Sequence, residues 1–184
     1  MQCVSPGPQQ DQLSREVTEL FPGLYLASYL TASEPAVAGR GVEAVVEISS
    51  RSHDSPALSS QLHVRLSETA HEENFDRIAD FVSDCRERGG AVLISCQENC
   101  GLAATLATAY GIKYAGLSAR RAAEVAGRAR PGAVLDPQLL DRLAAWEWKL
   151  RRERLFRQAA DIHIDFRHKI LRIDRFNIYK SLNV

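Results

Sequence analysis

With 184 residues, 45% of them hydrophobic and 25% charged, the chain is long enough to bury the core of one globular domain. Lys plus Arg and Asp plus Glu each number 23, and this formal neutrality argues against a dedicated nucleic-acid binder. Four cysteines (Cys3, Cys85, Cys96, Cys100) and five histidines (His53, His63, His71, His163, His168) follow no ligand or disulfide spacing, so no metal and no other cofactor is expected.

The elements can be taken in chain order. Residues 1–17 carry Pro6, Gly7, Pro8 and a Gln/Asp run without periodicity, and are expected to be disordered. Phe21-Pro22-Gly23 marks a turn before a strand from Leu24 to Ala27. Ser33 with Pro35 opens a short helix that ends by Gly39. Ala44 to Ile48 and Leu62 to Leu66 read as strands, joined by a Ser-rich loop from Ser49 to Ser60. Phe75, Ile78, Ala79, Val82 and Cys85 recur at three and four residues, a core-facing helix stopped by Gly89-Gly90 in which Cys85 is a small apolar filler. Ala91 to Ile94 is an apolar run of strand length that leads through Cys96 and a polar loop into an Ala/Leu-rich helix ending near Gly116. Ser118 caps the next helix, to about Arg128, and Asp136-Pro137 starts a last one with a stripe of Leu139, Leu143, Trp146 and Leu150. Beyond it, Ile162 to Phe166 and Ile170 to Ile173 alternate apolar and polar residues as half-buried strands or a hairpin do.

This alternation of strands and helices predicts an α/β fold: a central, mainly parallel, twisted sheet flanked by helices, with a C-terminal extension. Three segments are expected: a mobile 1–17, a domain over 18–150 and an extension over 151–184. The extension holds nine Lys/Arg and four Asp/Glu, net +5, leaving −5 on the rest. It reads either as a segment packed on the domain or as a basic element that docks on an acidic partner or membrane surface. No signal peptide or long apolar stretch is visible, so the cytoplasm is the expected compartment, with the nucleus as the alternative.

Ser95-Cys96-Gln97-Glu98-Asn99-Cys100-Gly101-Leu102-Ala103 carries the functional signal. A thiol between a strand end and a helix N-terminus faces converging amides and a favourable dipole, the setting of a nucleophilic, anion-binding cysteine. The stretch resembles the signature loop of the cysteine-dependent dual-specificity phosphatases, His-Cys-x-x-Gly-x-x-Arg-Ser/Thr, and specifically their atypical branch. Ala104-Thr105-Leu106 and Ala109-Tyr110 match the helix that follows in that family. Leu24 to Ser28, Phe75 to Phe81, Leu117-Ser118, Arg128 to Pro131, Asp136-Pro137 and Leu139-Leu140 match its flanking patterns, over roughly residues 18–150.

The resemblance implies a division of labour. Cys96 falls on the nucleophile, and the amides from Gln97 to Leu102 could cradle phosphate. Leu102, however, stands on the Arg position, Ala103 on the Ser/Thr position and Ser95 on the His position, while Asn99 replaces a Gly. Leucine cannot make the bidentate guanidinium contact, and an arginine that stabilises a phosphoryl transition state is worth about 10³–10⁵ in rate. Glu98 adds a carboxylate to the cradle. Glu68 aligns with the general-acid position, but on a shortened loop, and it reads more simply as part of a solvated turn before the helix start at Glu72-Glu73. Cys96 and Cys100 also admit a reversible disulfide, against two inert thiols.

The expectation is therefore a pseudophosphatase that binds phosphoproteins, kinases or active phosphatases in signalling. The alternative is a weak tyrosine/serine/threonine phosphatase using Cys96.

Overall fold

Ala91–Cys96 (β5) is apolar on both faces of the strand, and such a run is stable only where both faces are covered. It lies at the centre of a five-stranded sheet of order β1-β2-β5-β3-β4, formed with Thr18–Phe21 (β1), Leu24–Ser28 (β2), Val42–Ser49 (β3) and Ser60–Arg65 (β4). β2, β5, β3 and β4 run parallel, and only β1 is antiparallel to its neighbour. The computed structural model describes residues 17–28, 39–50, 60–96, 100–131, 133–160, 162–165 and 170–173. The expected mobile N-terminus, the short helix from Ser33 and the Ser-rich loop after Ser49 lie mostly outside these residues.

The helices are Glu72–Glu87 (α1), Cys100–Lys113 (α2), Ala119–Ala129 (α3) and Pro137–Ala160 (α4). α1 presents Phe75, Ile78, Ala79, Val82 and Cys85 to the core, as its periodicity predicts. Burial pushes the Cys85 thiol up from its ordinary pKa, in keeping with a filler rather than a reactive group. α2 is buried on every side from Gly101 to Ile112, the pattern of a helix enclosed by other elements. Gly111 permits that enclosure: a Cβ there would stand 2.7 Å from the Phe21 ring. Ser118 caps α3 by accepting from Arg121 N (3.2 Å), and the Glu147 carboxylate accepts from Ala119 N at the same end (2.7 Å).

The chain divides into two compact units, Met1–Glu147 and Trp148–Val184. In the first, Leu139, Leu143 and Trp146 of α4 are buried, and Trp146 meets Phe75 edge-to-face at 5.6 Å. Trp146 Nε1 also donates to Asp76 (3.3 Å), and Lys113 bridges Asp76 and Asp80 at 2.5 and 2.7 Å, tying α1, α2 and α4 together. In the second, the distal part of α4 is followed by Ile162–Asp165 (β6) and Ile170–Ile173 (β7), an antiparallel pair in which Ile162 faces Ile173.

Two features go beyond the sequence reading. The last helix continues past Leu150, the end of its apolar stripe, to Ala160. Apart from Phe156, residues 151–158 are Arg, Glu, Leu and Gln, all good helix formers, so the helix persists after its buried stripe has ended. Thr18–Phe21 adds a strand before the Pro22-Gly23 turn, where Gly23 takes the positive φ of 73° that suits glycine. Among the described residues no helix is long and apolar enough to cross a membrane.

Candidate active site

The junction of β5 and α2 is where the sequence places the thiol. Ligand loops of parallel sheets gather at the carboxyl ends of the strands, and Cys96 is the last residue of the central one. Its Cα pairs with Ser28 on one side and Ile48 on the other, and its side chain is 1% exposed. Gln97, Glu98 and Asn99 lie outside the described residues, as does the side chain of Cys100, so the cradle and the disulfide reading fall there too. α2 begins at Cys100, four residues after the thiol, so a strand end and a helix start flank this stretch as expected.

The first turn of α2 is anchored by side chains. Thr105 Oγ1 donates to Gly101 O at 2.7 Å and accepts from Asp136 N at 3.1 Å. Asp136 in turn caps α4, its Oδ1 accepting from Leu139 N at 3.0 Å. One hydroxyl thus fixes the start of α2 against the segment that enters α4.

Leu102 and Ala103 occupy this turn at 9% and 1% exposure. The position assigned to a phosphate-facing guanidinium holds a hydrocarbon side chain withdrawn almost wholly from solvent. Removing an arginine takes away charge-assisted hydrogen bonds worth about 1.5–3 kcal/mol each, and leucine supplies none.

Glu68 belongs to a 3-10 turn, Leu66–Glu68, directly after β4. Its side chain is 39% exposed and pairs with Arg65 at 3.8 Å. The turn is held tightly: Glu68 O accepts from His71 N (3.0 Å) and Asn74 Nδ2 (2.8 Å), and Thr69 Oγ1 donates to Leu66 O (3.0 Å). β4 is the edge strand and β3 separates it from β5, a lateral offset of about 9.5 Å. The structure therefore gathers Cys96, Gly101, Leu102 and Ala103 at one junction and sets Glu68 on a rigid turn at the edge of the sheet.

Two buried charged residues were not among the sequence candidates. Glu47 is 4% exposed, and its Cα pairs with Ser95, next to the thiol. Its carboxyl group accepts from Ser49 Oγ (3.0 Å) and Gln61 Nε2 (2.9 Å), and Ser49 Oγ also meets His63 Nε2 at 3.1 Å. The signal for it was legible as an acidic residue inside the apolar run Val45-Val46-Glu47-Ile48. Arg130, 3% exposed, begins the segment that Thr105 clamps through Asp136. Its signal was the family-like Arg128 to Pro131 pattern. Among the described residues, no group of three or more His, Cys, Asp or Glu side chains is placed to hold a metal ion.

Residues 24–149 match the dual specificity phosphatase catalytic domain. Mouse dual specificity protein phosphatase 15 is 28% identical over 149 residues, covering 74% of this chain and 62% of the relative. Its human counterpart is 27% identical over 137 residues, covering 70% and 45%. The chain thus spans less than two thirds of the length of these relatives. A crystal structure of a point variant of human DUSP28 superposes with a TM-score of 0.66 at 25% identity, covering 74% of this chain and 97% of that one. The DUSP15 crystal structure gives a TM-score of 0.61 at 24% identity, covering 78% and 97%. With the catalytic-domain match running from β2 into α4, and relatives of the atypical branch on both counts, the chain belongs to the atypical dual-specificity phosphatase family.

Proposed function

We propose that this chain is a catalytically impaired dual-specificity-phosphatase-like protein that works in signalling by binding phosphoproteins, kinases or active phosphatases. The observation that carries the reading is Leu102, 9% exposed where the family places its guanidinium. Ala103, in place of a hydroxyl, supports it. A buried carboxyl group at Glu47, in register with Ser95, adds no positive charge to a phosphate site. Affinity for a partner then comes from protein surface contacts rather than from capture of the phosphoryl group. Masking a phosphosite or competing with an active phosphatase are the modes this allows.

One arrangement favours the rival reading, a weak tyrosine/serine/threonine phosphatase. Cys96 keeps its place between strand and helix, and Arg130 is a buried guanidinium on the segment clamped to α2. The two readings separate in an assay on a generic aryl phosphate. Impairment is expected to leave the natural chain indistinguishable from Cys96→Ser. Turnover that Cys96→Ser abolishes overturns the proposal.

A further inference from the structure

The distal part of α4 carries large apolar side chains in water. Trp148 is 75% exposed, Leu155 66% and Phe156 68%. At 100° per residue these three fall within an arc of about 100° on the helix surface, with Arg152 inside the arc. Residues 148–158 hold five Lys/Arg and one acidic residue, Glu153, whose carboxylate pairs with Arg157 at 4.0 Å. The whole unit from Trp148 to Val184 has ten Lys/Arg and four Asp/Glu, net +6, against −6 for residues 1–147.

We infer that this face of α4 docks on an anionic lipid surface, with Trp148, Leu155 and Phe156 entering the headgroup–acyl boundary and Arg152 meeting lipid phosphates and carboxylates. The composition is that of an interfacial helix: Trp, Leu and Phe on one arc, with basic residues interleaved and beside it. A convex ridge fits a fluid interface without a complementary groove, whereas an acidic protein would have to supply one. Arginine stems also lie along apolar surface while their heads reach phosphate, so Arg152 is compatible with insertion of its neighbours. Charge complementarity selects the lipid class, because polybasic segments bind anionic and not zwitterionic leaflets.

The molecule carries its own probe. Of its two tryptophans, Trp146 is 1% exposed and Trp148 is in solvent, so changes in emission report Trp148. The full chain is mixed with phosphatidylcholine vesicles, with and without 30% phosphatidylserine, and with brominated lipid as a quencher. A blue shift and quenching are expected only with phosphatidylserine, weakening as salt rises. Arg152→Glu changes the charge by two and should weaken partitioning roughly 30-fold. Leu155→Ala with Phe156→Ala should weaken it by at least about tenfold while leaving the melting temperature in place, since both side chains are exposed. Absence of phosphatidylserine-dependent binding overturns the inference, as does binding that ignores these substitutions. Arg152-dependent binding of polyglutamate without vesicle binding assigns the face to an acidic protein instead and equally overturns it.

Discussion

Trp146 and Trp148 stand two residues apart on one helix, yet one is sealed in the core and the other faces water. The boundary between the two compact units falls between them. On the first side, residues 1–147 are net negative and keep the packing of a phosphatase domain: a buried central strand, an enclosed α2 and capped α3 and α4. On the other side lies net positive charge, with large apolar groups exposed on its helix. The comparison teaches that core packing and site chemistry can part company. Thr105 and the small residues around it hold the α2 junction together, while Leu102, which the family resemblance aligns with an arginine, is a buried hydrocarbon.

Substitutions can test that contrast, beginning with the largest effect. Trp146→Ala removes a fully buried ring that packs on Phe75 and donates to Asp76, and should cost about 3–5 kcal/mol in urea unfolding. A cost below about 1 kcal/mol would mean that α4 is not part of the core. Thr105→Val keeps the volume but loses the donor to Gly101 O and the acceptor for Asp136 N, and about 1–2 kcal/mol of stability is expected to go with them. An unchanged urea midpoint would deny Thr105 its anchoring role.

The next effect depends on pH. Burial alone would depress the Lys113 pKa, but hydrogen bonds with Asp76 and Asp80 outweigh it and hold the group above its ordinary value. Its contribution is therefore fully present below the unfolded lysine value, about 10.4, and is lost as pH rises through the higher folded one. Tyr114, raised by burial and then by its hydrogen bond to Asp80, acts in the same direction. Stability should hold up to about pH 10 and fall as pH rises further, by an amount that Lys113→Gln reduces. With both aspartates more than two-fifths exposed, solvent screening limits the Lys113 share to about 1 kcal/mol. Last comes Trp148→Ala, for which thermal or urea unfolding should register no more than about 0.5 kcal/mol. A cost near that of Trp146→Ala would erase the distinction between the two regions.

Much of the fold was legible because its signals are local. Ser118 and Asp136 announce their helices by capping chemistry, and both caps are made. The apolar run at 91–94 has the length of a strand, and it is a strand buried on both faces. β1 was not legible: Thr-Glu-Leu-Phe has no marked alternation, and what places it is its pairing with β2 and the fit of Phe21 over Gly111. The far end of α4 was hidden for a different reason, since helix persistence there follows from propensity and not from a buried stripe.

At the site, Cys96 ends β5 and Gly101, Leu102 and Ala103 lie in the first turn of α2. The buried Glu47 did not enter the reading, because the groups that donate to its carboxylate include Gln61, on the partner strand β4, and that register cannot be read from one strand. Glu68 was readable as a candidate, but its tethering to Asn74 depends on a fold that brings the 3-10 turn and the start of α1 together.

The most direct measurement restores the missing charge. Leu102→Arg combined with Glu98→Ala, assayed on an aryl phosphate beside the natural chain and Cys96→Ser, should raise hydrolysis on the order of 10³-fold over a natural chain that matches Cys96→Ser. Hydrolysis by the natural chain that depends on Cys96, and gains nothing from the restored arginine, would contradict the claim that the hydrocarbon at position 102 silences the site.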